Sequence, residues 1–426
     1  MIIVVHGETF HVPLLYILIF GFYTIKLGSI KKNPVFTTYL LLYFGGMCTA
    51  FYLWNFTELF TTGTIYINRL SLPAILYHVT ILMIMLYPLK RYEEKIYSAT
   101  LPDIPYSYLW PFFYLAIAAS AVVLITGLTT ISQRSGLSVN EMRKAMVSGE
   151  GRVVQTGSLL AYFLEVARYY AIVVEFLFFY CICKFPKKKI LILFLFLSSL
   201  CYPISSLQNA AREYVLRYIF YFFIMFILFK NQIENKWVSF IKIVFFLIFL
   251  SFLSIFIYIS ISRFGYESGS NTPFLESLLS YYGQQYIYFS GVFENFPNGT
   301  DGGRLTFPFF VGDGEGGFQL SNRISSDAPL NVFSTYIGSF VFDLGIIKAL
   351  IPVSIFTFIF FIICKINAGG IFFYIYIFLV YNFLFSGMFF YNAQINGPSF
   401  VSLVLLILFH LILKWNGIRK NSNEYL

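Results

Sequence analysis

Charge is scarce in this chain: Asp, Glu, Lys and Arg together make up 12% of the residues, 58% are hydrophobic, and the mean hydropathy is +0.74. A soluble domain needs a largely polar surface, so this balance excludes one and leaves an integral membrane protein. Histidine is rarer still. The four, His6, His11, His78 and His410, are scattered with no HExxH or related spacing, which removes the usual zinc-enzyme signature. The five cysteines, Cys48, Cys181, Cys183, Cys201 and Cys364, fall in or at the ends of apolar runs, where cysteine behaves as a small hydrophobe and not as a disulfide framework or metal site. No phosphate-binding P-loop, GxSxG elbow or dinucleotide fingerprint occurs, so nucleotide-driven transport and serine-hydrolase chemistry lose their main support. Met1 to Val5 has neither a basic region nor a small-residue cleavage site, and no removed leader is read there.

What the chain has in abundance is apolar runs of membrane length. A hydrocarbon core of roughly 30 Å needs about 20 apolar residues in helix, which predicts an all-α polytopic membrane protein of about eleven spans, within a range of about ten to twelve. The spans are expected near Val12 to Ile25, Val35 to Phe56, Leu70 to Leu89, Tyr108 to Leu128, Ser158 to Cys183 and Ile190 to Leu207. Five more follow near Glu213 to Phe229, Trp237 to Ile261, Leu344 to Cys364, Ile371 to Tyr391 and Ser399 to Leu413. The organisation is then 1–261 as eight spans with short loops, 262–343 as one large loop holding short helices, and 344–426 as three spans and a tail.

The net charge of +9 sits in short loops beside the spans, the placement that sets membrane orientation and not a nucleic-acid footprint. One alternating set of loops holds Lys26, Lys31 and Lys32; Lys90, Arg91 and Lys95; Lys184 and Lys187 to Lys189; Lys230, Lys236 and Lys242; Lys365; and Lys414, Arg419 and Lys420. By the positive-inside rule that side is cytoplasmic, so the amino terminus and the large loop face outward. The outward loop Thr129 to Thr156 departs from the rule with Arg134, Arg143, Lys144 and Arg152. Two readings stand for it: a solvated amphipathic segment, or basic residues kept to meet an anion.

Ionisable residues within spans need a partner or a purpose. Glu165, Arg168 and Glu175 share one stripe of the fifth span, either as an internal ion pair or as the wall of a water-filled cavity. Glu213 and Arg217 stand at i and i+4 in the favourable order, so Arg217 is expected to be neutralised locally. Arg212 lies off that pair near the membrane surface, as a lipid-headgroup anchor or as a bidentate phosphate ligand.

The large loop opens with Arg263 and Glu267, and Thr272-Pro273 marks a helix start. The stretch from Phe274 to Phe296 carries Tyr281, Tyr282, Tyr286, Tyr288, Phe289 and Phe293, too aromatic to lie wholly in water, and is expected on the outer membrane face or lining a groove. Seven glycines between Gly299 and Gly317, with Arg304, Asp313 and Glu315 among them, suit a lid or a disordered stretch alike. Asp313-Gly314-Glu315 resembles the acidic pair of metal-dependent sugar transferases, but three residues do not make a metal site. Arg323 and Asp327 precede Asn331-Val332-Phe333-Ser334-Thr335, from which an apolar run leads to Asp343-Leu344-Gly345. That run is too short to cross a membrane and too apolar to float, which predicts a re-entrant or surface-lying helix.

Many spans, a large outward loop in the second half, arginines at its borders, and Asn331 to Thr335 running on to Asp343-Leu344-Gly345 before a span together resemble the Wzy-type polymerases of bacterial O-antigen and capsule. More broadly they resemble the GT-C-like membrane glycosyltransferases. The resemblance implies that a glycan on a polyprenyl pyrophosphate is transferred to a sugar hydroxyl of a second lipid-linked repeat unit, outside the cytoplasm, with polyprenyl pyrophosphate as leaving group and no nucleotide, metal or other cofactor. Partners would be the lipid-linked donor and acceptor, membrane lipids and a chain-length regulator. Arg212, Arg263 and Arg323 would hold the pyrophosphate, with Arg134 and Arg304 as further anion contacts. Asp327, Glu267 and then Asp343 are the candidates for the general base that the acceptor hydroxyl needs. A lipid-linked oligosaccharide flippase is the alternative, favoured by Glu165, Arg168 and Glu175. A ligase of finished polymer is the third, disfavoured because 262–330 contains no histidine.

Overall fold

The computed structural model describes residues 11–29, 32–57, 70–97, 106–133, 141, 171–201, 203–204, 213–264, 274–300, 302–303, 335–365, 404, 407–408 and 411. In chain order the helices are α1 (His11–Leu27), α2 (Pro34–Phe56), α3 (Leu72–Tyr97), α4 (Tyr106–Gln133), α5 (Ala171–Lys184), α6 (Lys189–Ser199), α7 (Glu213–Phe229), α8 (Asn235–Phe264), α9 (Phe274–Asn295), α10 (Thr335–Leu344) and α11 (Leu350–Lys365). Among the described residues there is no strand. Among the same residues five segments are long and apolar enough to cross a membrane: Pro34–Phe56, Leu72–Arg91, Leu109–Gln133, Val215–Gln232 and Asn235–Ile259. Shorter apolar helices cover His11–Leu27, Lys189–Ser199 and Leu350–Ile362. The spans expected at 371–391 and 399–413 lie outside the described residues, apart from isolated positions of the latter.

Packing divides the chain into two units: Met1–Lys95 with Gly269–Asn367 and Asn382–Ile395, and Ile96–Ser268 with Ala368–Tyr381 and Asn396–Leu426. The first unit holds α1, α2, nearly all of α3, and α9 to α11. Its α2 starts with Pro34, which suits a first helical turn because its missing N–H has no partner there in any case. The next two orphan donors are met from α3: Val35 N–H donates to Glu93 Oε1 at 2.6 Å and Phe36 N–H to Oε2 at 2.9 Å. Asn33 Nδ2 donates to the Lys90 carbonyl at 2.6 Å, so the start of α2 is tied to the last turns of α3 twice over. Burial raises the Glu93 carboxyl from 4.5 to about 8, against the opposing pull of the two backbone hydrogen bonds.

The loop helix α9 is a working part of this unit. Residues 284–290 are buried, and Gly283 is seated against α2, where a β-carbon would stand 2.7 Å from Ala50 N and 2.8 Å from the Thr49 carbonyl carbon. On the opposing helix, Gly45 and Gly46 make way for Tyr282 and Tyr286: a β-carbon on Gly46 would meet the Tyr286 ring at 2.5 Å. Small residues at a crossing let helix backbones approach closely, the usual device where lipid supplies no hydrophobic drive. Tyr282 donates its hydroxyl to the Leu42 carbonyl, and Ser71 N–H donates to the Ser290 hydroxyl at 2.7 Å. Of the aromatic stretch expected on an outer face or lining a groove, residues 283–290 are therefore interior. Its rings fill the space that the glycines of α2 leave.

Two further expectations are narrowed. The run leading to Asp343 is a helix, as anticipated, and residues 335–343 of α10 are all buried, which sets aside the surface-lying alternative and leaves the re-entrant one. The ninth span was expected from Leu344, whereas α11 begins at Leu350, because Gly345 takes φ +85 and breaks the helix there.

In the second unit, α5 and α6 are joined by a tight turn at Phe185 to Lys188, closed by Phe185 N–H to the Cys181 carbonyl at 2.7 Å. Its core is aromatic: Phe179 packs on Phe222 with ring centroids 5.1 Å apart and on Phe229 at 5.7 Å. Helix α8 carries exposed Ile243, Phe246, Leu247, Leu250, Leu253 and Ile257, the surface of a helix whose solvent is lipid.

Candidate functional site

Within the first unit a clasp joins the residues that follow α9 to the end of α10. Gly303 N–H donates to Asp343 Oδ1 at 2.9 Å, Gly302 N–H to the Asp343 carbonyl at 3.1 Å, and the Thr300 hydroxyl to the Phe342 carbonyl at 3.0 Å. Ile346 N–H donates to the Pro297 carbonyl at 2.9 Å, and the Tyr77 hydroxyl of α3 to the Ile346 carbonyl at 2.8 Å. The two segments touch through backbone. A β-carbon on Gly299 would sit 2.5 Å from Gly345 N, and one on Gly345 would sit 2.6 Å from Asn298 C; both glycines also have positive φ. Sequence patterning marks Gly299 and Gly345 only as glycines in a loop. Their mutual contact is what requires them.

The far end of α10 is marked by Thr335, a fully buried β-branched residue at φ 65, whose hydroxyl accepts Gly338 N–H at 3.3 Å. Such a backbone is costly for a branched side chain and is held by its surroundings. Thr335 and Asp343 are eight residues apart on one helix, which at 1.5 Å per residue is about 12 Å. Gly303 and Thr335 are thus fixed at opposite ends of α10. The segment between them, which carries Arg304, Arg323 and Asp327, lies outside the described residues.

Of the residues expected to carry chemistry, Asp343 is 1% exposed and belongs to the clasp. Arg263 lies in the last turn of α8, with its side chain outside the described set. Arg134, Glu165, Arg168, Arg212, Glu267, Arg304, Arg323 and Asp327 lie outside the described residues. In the second unit Glu175 is fully buried, and neither carboxyl oxygen makes a hydrogen bond to a described residue. Among the described residues it forms no ion pair, and its electrostatic neighbour is Tyr218, whose hydroxyl stands 2.9 Å from the Ser199 hydroxyl. Arg168, the partner expected for it in the fifth span, lies outside the described residues. Arg217 is 1% exposed on α7.

A second group of polar side chains lies inside the first unit and has no local sequence signature. Tyr16 of α1, Tyr43 of α2, His78 of α3 and Tyr286 of α9 converge, with His78 5.9 Å from Tyr286, 6.2 Å from Tyr16 and 6.4 Å from Tyr43, ring centroid to ring centroid. Tyr336 of α10 adds a hydroxyl that interacts electrostatically with those of Tyr43 and Tyr286. One polar ring from each of five helices meets at one place. A lone histidine and several tyrosines in apolar spans read, from sequence, as isolated interior or interfacial residues; the available signal is that a polar group within a span needs a reason.

Compared with protein-family models, with curated proteins and with solved structures, the chain matches none of them.

Proposed function

We propose that this protein polymerises polyprenyl-pyrophosphate-linked oligosaccharide repeat units into O-antigen or capsular polysaccharide. In this reading it is a multi-pass protein of the bacterial inner membrane with about eleven spans, the general plan of GT-C-like membrane glycosyltransferases, a periplasmic large loop and a cytoplasmic carboxyl terminus. Glycosyl transfer proceeds with polyprenyl pyrophosphate as leaving group. Arg212, Arg263 and Arg323 stabilise the charge that develops on it, assisted by Arg134 and Arg304, because preorganised guanidinium groups lower the barrier where negative charge appears. Asp327 or Glu267 takes the proton of the acceptor hydroxyl.

The observation that carries the reading is the anchoring of the large loop. A catalytic loop must hold its groups in a fixed frame, and the segment between Gly303 and Thr335 is held at both ends by α10 and by the Asp343 clasp. A carrier that only moves solute has no evident use for that frame. A flippase is the second reading, favoured by Glu175, a fully buried carboxyl of the kind that marks ion and substrate paths in transporters.

Deletion in the native host separates the two. Loss of a polymerase leaves surface lipid capped with a single repeat unit, while loss of a flippase leaves none. Complementing the deletion strain with Arg263→Ala and with Arg323→Ala then tests the site: loss of long chains is expected from each, and full chain length from both would remove these arginines from the mechanism.

A further inference from the structure

The five polar atoms at the meeting point of α1, α2, α3 and α9 are the hydroxyls of Tyr16, Tyr43 and Tyr286 and both ring nitrogens of His78. All are buried, and among the described residues none makes a hydrogen bond of full geometry; Tyr43 has a looser side-chain partner in Tyr336 and Tyr286 one in Gln285, while Tyr16 and both nitrogens of His78 have none. Tyr16 is 4% exposed, Tyr286 2%, Tyr43 1% and His78 0%. Buried polar groups are almost always satisfied, so a cluster of this size identifies a ligand that supplies hydrogen bonds.

The lining defines that ligand. Phenols donate and accept, and a neutral imidazole donates from one nitrogen and accepts at the other, so the site suits a group with both capacities. The rings packed on the four include Phe289, 4.8 Å from His78, and Phe20, 6.0 Å from Tyr43, both apolar, so the surroundings favour a neutral ligand. The rings stand 5.9 to 6.4 Å apart, already in direct aromatic contact, and no sugar or other ring fits between them. Only an atom-sized group remains.

We infer that Tyr16, Tyr43, His78 and Tyr286 form an internal water site that joins the loop helix α9 to the α1–α3 bundle. With roughly three hydrogen bonds per buried water, five polar atoms accommodate about one or two molecules. Water serves here as a small two-sided connector: it links three phenols and an imidazole from four different helices that make no hydrogen bond to one another, and it closes over Tyr286 only when α9 is seated. The inference goes beyond the polymerase reading and does not depend on it.

Radiolytic footprinting of the full-length protein in lipid nanodiscs tests this, with H2(18)O as the probe. Hydroxyl radicals made from a bound internal water label the rings beside it even where bulk solvent has no access. Incorporation of 18O at Tyr16, Tyr43 and Tyr286 is expected to exceed severalfold that at Phe113 and Phe179, which are equally buried in apolar surroundings. Labelling no greater than at those controls overturns the proposal. His78→Phe removes two of the five polar atoms and is expected to bring the three tyrosines down to the control level. A folded His78→Phe protein with undiminished labelling also overturns it, and if this variant does not fold the wild-type comparison decides alone.

Discussion

Gly283 of the loop helix and Ala50 of α2 are in backbone contact: a β-carbon at Gly283 would stand 2.7 Å from Ala50 N. Neither main chain can yield at a helix crossing, so Gly283→Ala forces the helices apart. The expected loss is about 1–3 kcal/mol, in the range of overpacked cores. It is measured as a fall in the thermal unfolding midpoint of the purified protein in detergent. Gly302, which has open space around the corresponding position, provides the contrast: Gly302→Asn, which suits positive φ, is expected to leave the midpoint unchanged.

The carboxyl of Glu93 gives a pH dependence with a definite sign. Because folding raises it from 4.5 to about 8, the stability it lends is complete below 4.5 and is lost as pH rises through about 8, where a buried charge must form. The unfolding midpoint should therefore decline from about pH 5 to pH 8 and level off above that. Glu93→Gln keeps an acceptor for one of the two N–H groups of α2 and removes the titration, so its midpoint should be flatter across that window. An equal decline in both proteins would show that Glu93 is not the group responsible.

Much of the helical frame was legible. The seventh span, expected at Glu213 to Phe229, has those bounds in the structure, and α1, α2 and α8 lie where apolar runs of the right length place them. A short helix ending at Asp343 was legible as well, from a run too short to cross and too apolar for water. The burial of α9 was not, because an aromatic, amphipathic stretch has the same composition whether it lies on a membrane or inside a bundle. The partners that decide the matter, Gly45 and Gly46, are more than two hundred residues away in sequence. The Tyr16, Tyr43, His78 and Tyr286 cluster escaped for the same reason: each helix contributes one polar ring, and no single segment shows a pattern. The arginines proposed for the pyrophosphate were picked from their positions at span ends, a reading of sequence that the described residues leave as it was.

Asp343 can be divided between two roles by substitution. Asp343→Ala leaves the buried Gly303 N–H without its acceptor and should destabilise by about 1–3 kcal/mol, while Asp343→Asn retains a carbonyl oxygen and most of the stability. Under the polymerase reading, chain length measured in the complemented deletion strain then separates clasp from base. An Asn variant that still makes long chains assigns Asp343 to positioning the loop; a stable Asn variant that makes none assigns it to proton transfer.

The backbone contact between Gly299 and Gly345 predicts that Gly345→Ala is worse than an ordinary surface change. It adds a methyl 2.6 Å from Asn298 C and asks a non-glycine residue to hold φ +85, a conformation that costs of order 1–3 kcal/mol by itself. Limited proteolysis offers the readout. Faster cleavage between residues 304 and 334 than in wild type is expected, since one fixed point of that segment is loosened, and an unchanged rate would show that the clasp does not restrain it.

Tyr282 reaches Leu42 across a sequence separation of 240 residues. During synthesis, α1, α2 and α3 are therefore made and inserted long before the helix that completes them exists, and the cleft over Gly45 and Gly46 must wait, unfilled, through the production of the entire second unit up to α8. The bundle at the amino terminus is a receptacle before it is a finished body. A truncation that stops short of residue 274 would leave it permanently open toward lipid, and this makes the early half of the chain the part most dependent on protection while the protein is being built.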